Sequence, residues 1–385
     1  MSAPISGKHP AAQPIPVTGA SGIPGLDPVL EAILELARWA PSGDNTQIGR
    51  FEIAGPRALV VHGFDTREHC VYDLDGHPSQ ISLGALIETM AIAASTQGLR
   101  MTARRREGLP DSQPTFDVAF APADVHSAGD PLAAQIVRRS VQRRALSTRA
   151  LTGVEKAQLE GALPPGYSVR WIEGFQGRWQ AARLMFANAG LRLTMPEAYQ
   201  VHRDVIEWGA RYSTDRIPDQ ALGVDAITAR LMRTIMRSWD RVAFFNRYLG
   251  GTLAPRLQMD LVPGLACAAH FVIVADRPAR GIDDYVAAGR AVQRFWLTTT
   301  ALELQLQPEL TPLIFARYVR EGRVFSAAPG MEALARTLSA RCAALIGADT
   351  LQHAVFMGRV GAGPSARARS LRRPLRELIV ARRGA

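Results

Sequence analysis

Residues 34–52, LELARWAPSGDNTQIGRFE, carry the end of one element, a tight polar connection and the start of the next. Asp27 and Pro28 stand where a helix takes its N-cap and first-turn proline. Val29, Leu30, Ile33, Leu36, Ala37 and Ala40 then fall on one face at helical spacing, and Pro41 stops the helix. Ser42, Gly43, Asp44, Asn45, Thr46 and Gln47 follow, more polar residues than a plain turn needs. Two side-chain amides, a hydroxyl and open backbone amides suit a flat, heteroatom-rich ligand. By composition alone a solvated helix–strand connection is the simpler reading.

Working outward, Phe51–Ile53 and Ala58–Phe64 read as short strands. The polar stretch 65–78, DTREHCVYDLDGHP, with His62 just before it, is dense in His, Cys and Asp, yet has neither HxxxH nor CxxC spacing. A polar loop is therefore expected there, and no metal site. Ser79 suits the cap of a helix bearing Leu83, Ile87, Met90, Ala91 and Ala94 on one face, ended by Gly98. Phe116–Phe120 alternates like a strand. Leu132–Val137 reads as helical, Thr152 with Glu155 forms a capping box, and 167–173 is a strand.

From Arg178 to about Tyr248 the pattern is almost entirely helical. Arg230, Arg233, Arg237 and Arg241 form a solvent-facing stripe there, while Trp208, Tyr212, Trp239, Phe244, Phe245 and Tyr248 suit the core. Ala268–Asp276 is a buried strand and Tyr285–Leu304 a helix; aligning Gly289 with Gly84 matches two helices that both end in leucine, Leu99 and Leu304. That match points to an internal duplication, with Glu303 at the place of Gly98. His353–Val360 is the last strand. The GAGPSA that follows imitates a dinucleotide fingerprint, but Pro364 interrupts it and too little chain remains for a βαβ unit.

A chain of 385 residues can bury one large or two medium cores, and residues 1–25, rich in Pro, Gly and Ser, suit a loose tail. No apolar run is long enough to span a bilayer and the N-terminus lacks a secretory h-region, so a cytoplasmic protein with no membrane partner is expected. The three cysteines are far apart, which fits reduced thiols. The net charge of +10 invites nucleic acid, but only Lys8 and Lys156 are lysines and the arginines are scattered outside the last segment. No nucleic-acid partner is expected.

ARWAPSGDNTQ followed by an aromatic strand resembles the ARWAPSGxNxQPWRF signature of the nitroreductase family, FMN-dependent enzymes that pass hydride from NADH or NADPH to small acceptors. Ile48 and Gly49 stand where the family has Pro-Trp. Arg139-Ser140 with Arg143-Arg144 resembles the family's RRSxR element, and SLRRPLREL (370–378) its basic C-terminal end. The resemblance implies an α+β, nitroreductase-like fold of two fused halves forming an intramolecular pseudo-dimer: 26–128 and 129–385, the second with a helical insertion at about 178–250. It is similar to the two-repeat MoeY-type and Acg-like proteins. It further implies one FMN site, with Arg139, Ser140, Arg143, Arg372 and Arg373 toward the phosphate and Pro41, Ser42, Gly43, Asn45 and Gln47 around the ring. Guanidinium forks pair well with phosphate oxygens. No catalytic acid or base is assigned. The partner is a small-molecule acceptor, and the chain is a monomer with an internal pseudo-dimer or a further homodimer. The rival expectation is a flavin-free or flavin-sequestering binding protein on the same fold.

Overall fold

The computed structural model describes residues 22–124 and 128–382, so most of the expected N-terminal tail lies outside the described residues. Helix α1 (Pro28–Ala37) opens as its sequence dictates: Asp27 Oδ1 accepts from the backbone N–H groups of Val29 and Leu30 at 2.9 and 3.1 Å. Leu30, Ile33, Leu34 and Ala37 are buried. The helix ends at Ala37, four residues before Pro41, through a turn in which Trp39 and Ala40 bond back to Leu36 and Ala37.

Strands β1 (Gly49–Gly55) and β2 (Ala58–Gly63), helix α2 (His77–Ser95), and strands β3 (Leu99–Arg105) and β4 (Thr115–Pro122) complete the first layer. After α3 (Gly153–Gly161), capped by the Thr152–Glu155 box, comes β5 (Tyr167–Ile172). Four helices follow: α4 (Gly174–Leu193), α5 (Pro196–Val205), α6 (Ala226–Ile235) and α7 (Trp239–Tyr248). The chain then returns through β6 (Ala269–Ala275), α8 (Ile282–Ala301), β7 (Leu304–Pro308), β8 (Ala354–Ala362) and the short β9 (Ile379–Val380).

The two sheets repeat one plan. In the first the strands run β9-β1-β2-β4-β3, and in the second β7-β8-β6-β5. Setting β5, β6, α8, β7 and β8 against β1, β2, α2, β3 and β4 gives the same neighbour order, antiparallel throughout. The helices α2 and α8 cross at the two aligned glycines. A Cβ on Gly84 would run into the Val286 carbonyl and lie 2.9 Å from Gly289 Cα; a Cβ on Gly289 would run into the Ile81 carbonyl. Gly98 and Glu303, equally spaced from these glycines, both adopt left-handed backbone, φ 65° and 56°. Leu99 and Leu304 then start β3 and β7, both buried. Glu303 therefore holds the same backbone turn without a glycine.

Several elements differ from expectation. Ser79 does not cap α2; Gly76 precedes the helix in left-handed backbone, and Asp73 accepts from Ser79 through both its N–H and its hydroxyl. The segment at 132–137 forms only a short 3-10 turn, Pro131–Gln135. Strand β3 was not expected, because its alternation of apolar residues with arginine is that of a half-exposed edge. The stretch between α5 and α6 is irregular, carrying two-residue pairings such as Tyr212–Ser213 with Arg369–Ser370. Tyr212, Phe244 and Tyr248 are exposed, contrary to their expected place in the core.

The last segment decides where the site forms. Ile379 and Val380 pair in parallel with Phe51 and Glu52 of β1, and Leu375 and Leu378 join the core beneath the first sheet. Burying those leucines stabilises by about 1.5–3 kcal/mol each. It also pins the arginines just before them against the loop after α1.

Candidate functional site

A cavity of about 420 Å³ lies between the two layers, within the roughly 300–1,000 Å³ of ligand pockets. Its walls come from the loop after α1, the N-terminal turns of α2, residues 139–143, the segment after β7, the 185–260 helical region and residues 368–372. Of the residues singled out in the sequence, Pro41, Ser42, Gly43, Asn45, Arg139, Ser140, Arg143 and Arg372 all line it. They are brought together from three distant parts of the chain.

The loop is held by its own polar groups. Ser42 Oγ accepts from the Gln47 N–H at 2.9 Å, and Asp44, Asn45 and Gln47 all have positive φ. Gln47 does not line the cavity. Its amide donates to Asn45 O and Thr214 O and accepts from the Arg373 N–H at 2.8 Å, fastening the loop from behind. Arg373 is the other departure: its guanidinium pairs with Asp215 at 3.1 Å, on the surface and away from the cavity. Ile48 is buried in the first core and Gly49 abuts Leu86, so neither borders the cavity.

Of the two adjacent arginines expected here, Arg372 alone lines the cavity. Its guanidinium donates to Ala40 O at 3.1 and 2.9 Å and to Asn45 Oδ1 at 2.9 Å. Arg139 is almost fully buried, stacks 4.6 Å over Trp296 and donates to Trp39 O at 3.0 Å, while its Nε has no partner among the described residues. Arg143 donates to Ala221 O. Arg369, not singled out in the sequence, donates to Val137 O and Arg139 O and leaves its own Nε unpartnered. Its only sequence signal is a spacing of three from Arg372.

None of these four arginines forms an ion pair among the described residues. Burial presses on the positive charge of each, and neighbouring arginines add to it at Arg139, Arg143 and Arg372. Arg139 is lowered well below the usual range by burial and by Arg372 and Arg369. Arg372 is lowered to about 9 and Arg369 to about 10, burial being the main cause in both. Arg143 is lowered to about 10 by burial, which the field of Asp44 offsets only in part. Arginine keeps its proton in proteins. The pressure is therefore the cost of desolvated positive charge, with repulsion added at Arg139 and Arg372, and a bound anion would offset it.

The opposite end differs. Met185, Leu193, Met232, Met236 and Met259 give an apolar wall interrupted by few polar groups. Tyr72 Oη and His202 Nε2 are 2.9 Å apart, and burial, with Arg192, drives His202 down to about 3, so the pair is neutral. Arg192 meets Asp260 at 3.2 Å. Burial raises Asp260 to about 6 despite that neighbour. Nothing in the sequence periodicity marks these four, since they sit on different elements.

No family model matches the chain, and no curated protein matches it. Among solved structures it is similar to the crystal structure of a nitroreductase-like family protein from Bacillus cereus, at 13% identity and a TM-score of 0.33, over 66% of this chain and 97% of that one. A likeness so distant carries no argument. The functional reading stands on the residues of the cavity.

Proposed function

We propose that the chain is a nitroreductase-type oxidoreductase that binds FMN in this cavity, takes hydride from NADH or NADPH and passes it to a small organic acceptor. The observation that carries the reading is the group of four arginines, Arg139 and Arg372 buried and Arg143 and Arg369 half-buried, without a carboxylate ion pair among the described residues, two with an orphaned Nε, lining one cavity with the PSGDN loop. A phosphate supplies the charge and the acceptor oxygens that this group lacks. Arg139, Arg143, Arg369 and Arg372, with Ser140, would hold the phosphate. Pro41, Ser42, Gly43 and Asn45 would border the ring. FMN, when bound, supplies the two-electron exchange between nicotinamide and acceptor. The chain's own part is to fix position and charge and to keep water out, the last through the apolar wall of the helical region.

The same reading takes residues 26–128 and 129–385 as two fused halves, a pseudo-dimer of the MoeY-type and Acg-like kind. The repeated strand order and the glycine crossing support it. The loop belongs to the first half and the arginines to the second, so one complete site lies between them. Helices within about 178–250 are an insertion that walls it. Ile48 and Gly49, the feature favouring a flavin-free protein, stand away from the cavity and so lend that rival no support.

The test is the visible spectrum of the purified protein with added FMN, followed by NADPH without oxygen. Flavin bands that bleach, and that vanish from an Arg139→Ala/Arg143→Ala protein, are expected. A folded wild-type protein that takes up no FMN would overturn the reading in favour of the binding protein.

A further inference from the structure

The outer face of the helical region is unlike the rest of the surface. On α6, Ile227, Arg230, Leu231 and Thr234 recur at three- and four-residue steps and are exposed; on α7, Arg241, Phe244, Arg247 and Tyr248 do the same. Ile227 is 78% exposed, Phe244 53% and Tyr248 62%. Arg241 Nη1 donates to Thr234 O at 3.4 Å, so the two exposed faces adjoin. Residues 226–253 hold five arginines and a single carboxylate, Asp240. No ion pair among the described residues uses any of the five.

The inner faces are anchored. Met232 and Met236 line the cavity, Tyr199 Oη donates to Met236 O, and Asn246 donates to Leu193 O at 2.8 Å. The apolar side chains outside are therefore not a core turned the wrong way. A contiguous apolar patch on a monomer marks an interaction site.

We propose that this face is a docking surface for an anionic lipid bilayer. Charge complementarity selects the occupant. A second copy docking through a two-fold axis would set the five arginines against themselves. Arginines interleaved with aromatic and branched side chains on short amphipathic helices suit the headgroup layer, where guanidinium meets phosphate and the apolar residues enter the acyl boundary. No helix among the described residues is long and apolar enough to cross a membrane. The absence of a spanning segment led the sequence to suggest no membrane partner, but a surface contact needs no span. On the inner side Met232 of α6 and Met236 just after it line the cavity, so docking sets that part of the cavity wall against the bilayer. This inference does not depend on the flavin reading.

The test is flotation of the full chain with phosphatidylserine-rich phosphatidylcholine vesicles and with pure phosphatidylcholine vesicles, at low and high salt. Expected is flotation with the anionic vesicles only, weakened by salt. An Arg230→Glu/Arg233→Glu/Arg241→Glu protein with an unchanged melting temperature should lose about a hundredfold or more in partitioning, since each cation near such a surface contributes about fivefold and each is reversed. A Phe244→Ser/Tyr248→Ser protein should also float less at low salt, which a purely electrostatic contact would not show. No flotation of the wild type at low salt overturns the proposal, as does flotation that both variants retain. Light scattering that shows a dimer abolished by Phe244→Ser/Tyr248→Ser, without flotation, assigns the face to a second copy instead. Binding to duplex DNA as tight as to anionic vesicles, and indifferent to the Phe244 and Tyr248 changes, assigns it to polyanions in general.

Discussion

Arg372 Nη1 donates to Asn45 Oδ1 at 2.9 Å across most of the length of the chain, while the same guanidinium closes on Ala40 O. One side chain thus fastens the C-terminal segment to the loop after α1 and stands in the cavity wall. Replacing it by lysine keeps a charge but cannot satisfy both acceptors in one plane. We expect Arg372→Lys to weaken FMN binding by roughly tenfold to a hundredfold, since a hydrogen bond to a charged group contributes about 1.5–3 kcal/mol. Arg372→Ala should in addition lower the unfolding free energy by about 1–3 kcal/mol, by leaving Asn45 Oδ1 and Ala40 O buried without a donor. Fluorescence titration with FMN and urea denaturation separate the two effects.

The cationic cluster should respond to an anion without any flavin. Inorganic phosphate or sulfate that enters the site relieves the repulsion among Arg139, Arg369 and Arg372 only in the folded state. Binding to the native state alone stabilises by about 2.7 kcal/mol at a hundredfold excess over the dissociation constant. A rise in melting temperature with phosphate is expected for the wild type, beyond that seen with chloride at equal ionic strength. In an Arg139→Met/Arg369→Met protein it should be absent. An equal rise in both proteins would place the anion elsewhere.

How much of this was legible from residues 34–52 and their counterparts depends on how far each feature is local. The helix α1, its Asp27 cap and the polar loop follow from spacing and from Pro41. The capping box at Thr152 likewise needs only two residues. Strand β3 was missed because arginine alternating with apolar residues on an exposed edge carries little hydrophobic signal. Arg372 and Arg373 were both expected toward the phosphate, but only Arg372 lines the cavity; which of two adjacent arginines turns inward is set by Asp215 and Asn45, far away in sequence. The aromatic residues of α7 read as core by type alone, and composition does not say that Phe244 and Tyr248 face solvent. His202 and Tyr72 meet only through tertiary packing.

Gly84 and Gly289 give a test of the helix crossing. A methyl group at either position meets the partner helix's backbone, which cannot move aside as a side-chain tip can. Gly84→Ala and Gly289→Ala should each lower stability by about 3 kcal/mol, at or above the usual 1–3 kcal/mol of overpacking. Gly281, with no atom within reach of a Cβ and ordinary backbone, is the control: Gly281→Ala should change stability little. Urea denaturation of the three variants decides it. Equal stability of all three would mean that the helices do not cross at these glycines.

His270 offers the pH test. It is fully buried on β6, with Nδ1 at 2.7 Å from Glu309 Oε2 and Nε2 at 2.8 Å from Gly264 O, so both ring nitrogens face acceptors and the ring is held as imidazolium. Burial opposes that charge, but Glu309 and the hydrogen bonds outweigh it and raise the group to about 10. The folded value lies above the unfolded one, near 6.5. Stability from this pair is thus complete below about pH 6.5 and is lost as pH rises toward 10, by at most about 1.4 kcal/mol per pH unit. The wild type should show a falling denaturation midpoint between pH 7 and 10, and His270→Gln, with no proton to lose, a flatter profile from a lower start at neutral pH. Identical slopes for the two proteins would mean that His270 is neutral in the fold, leaving Arg359, 3.7 Å from the other oxygen, as the charged neighbour of Glu309.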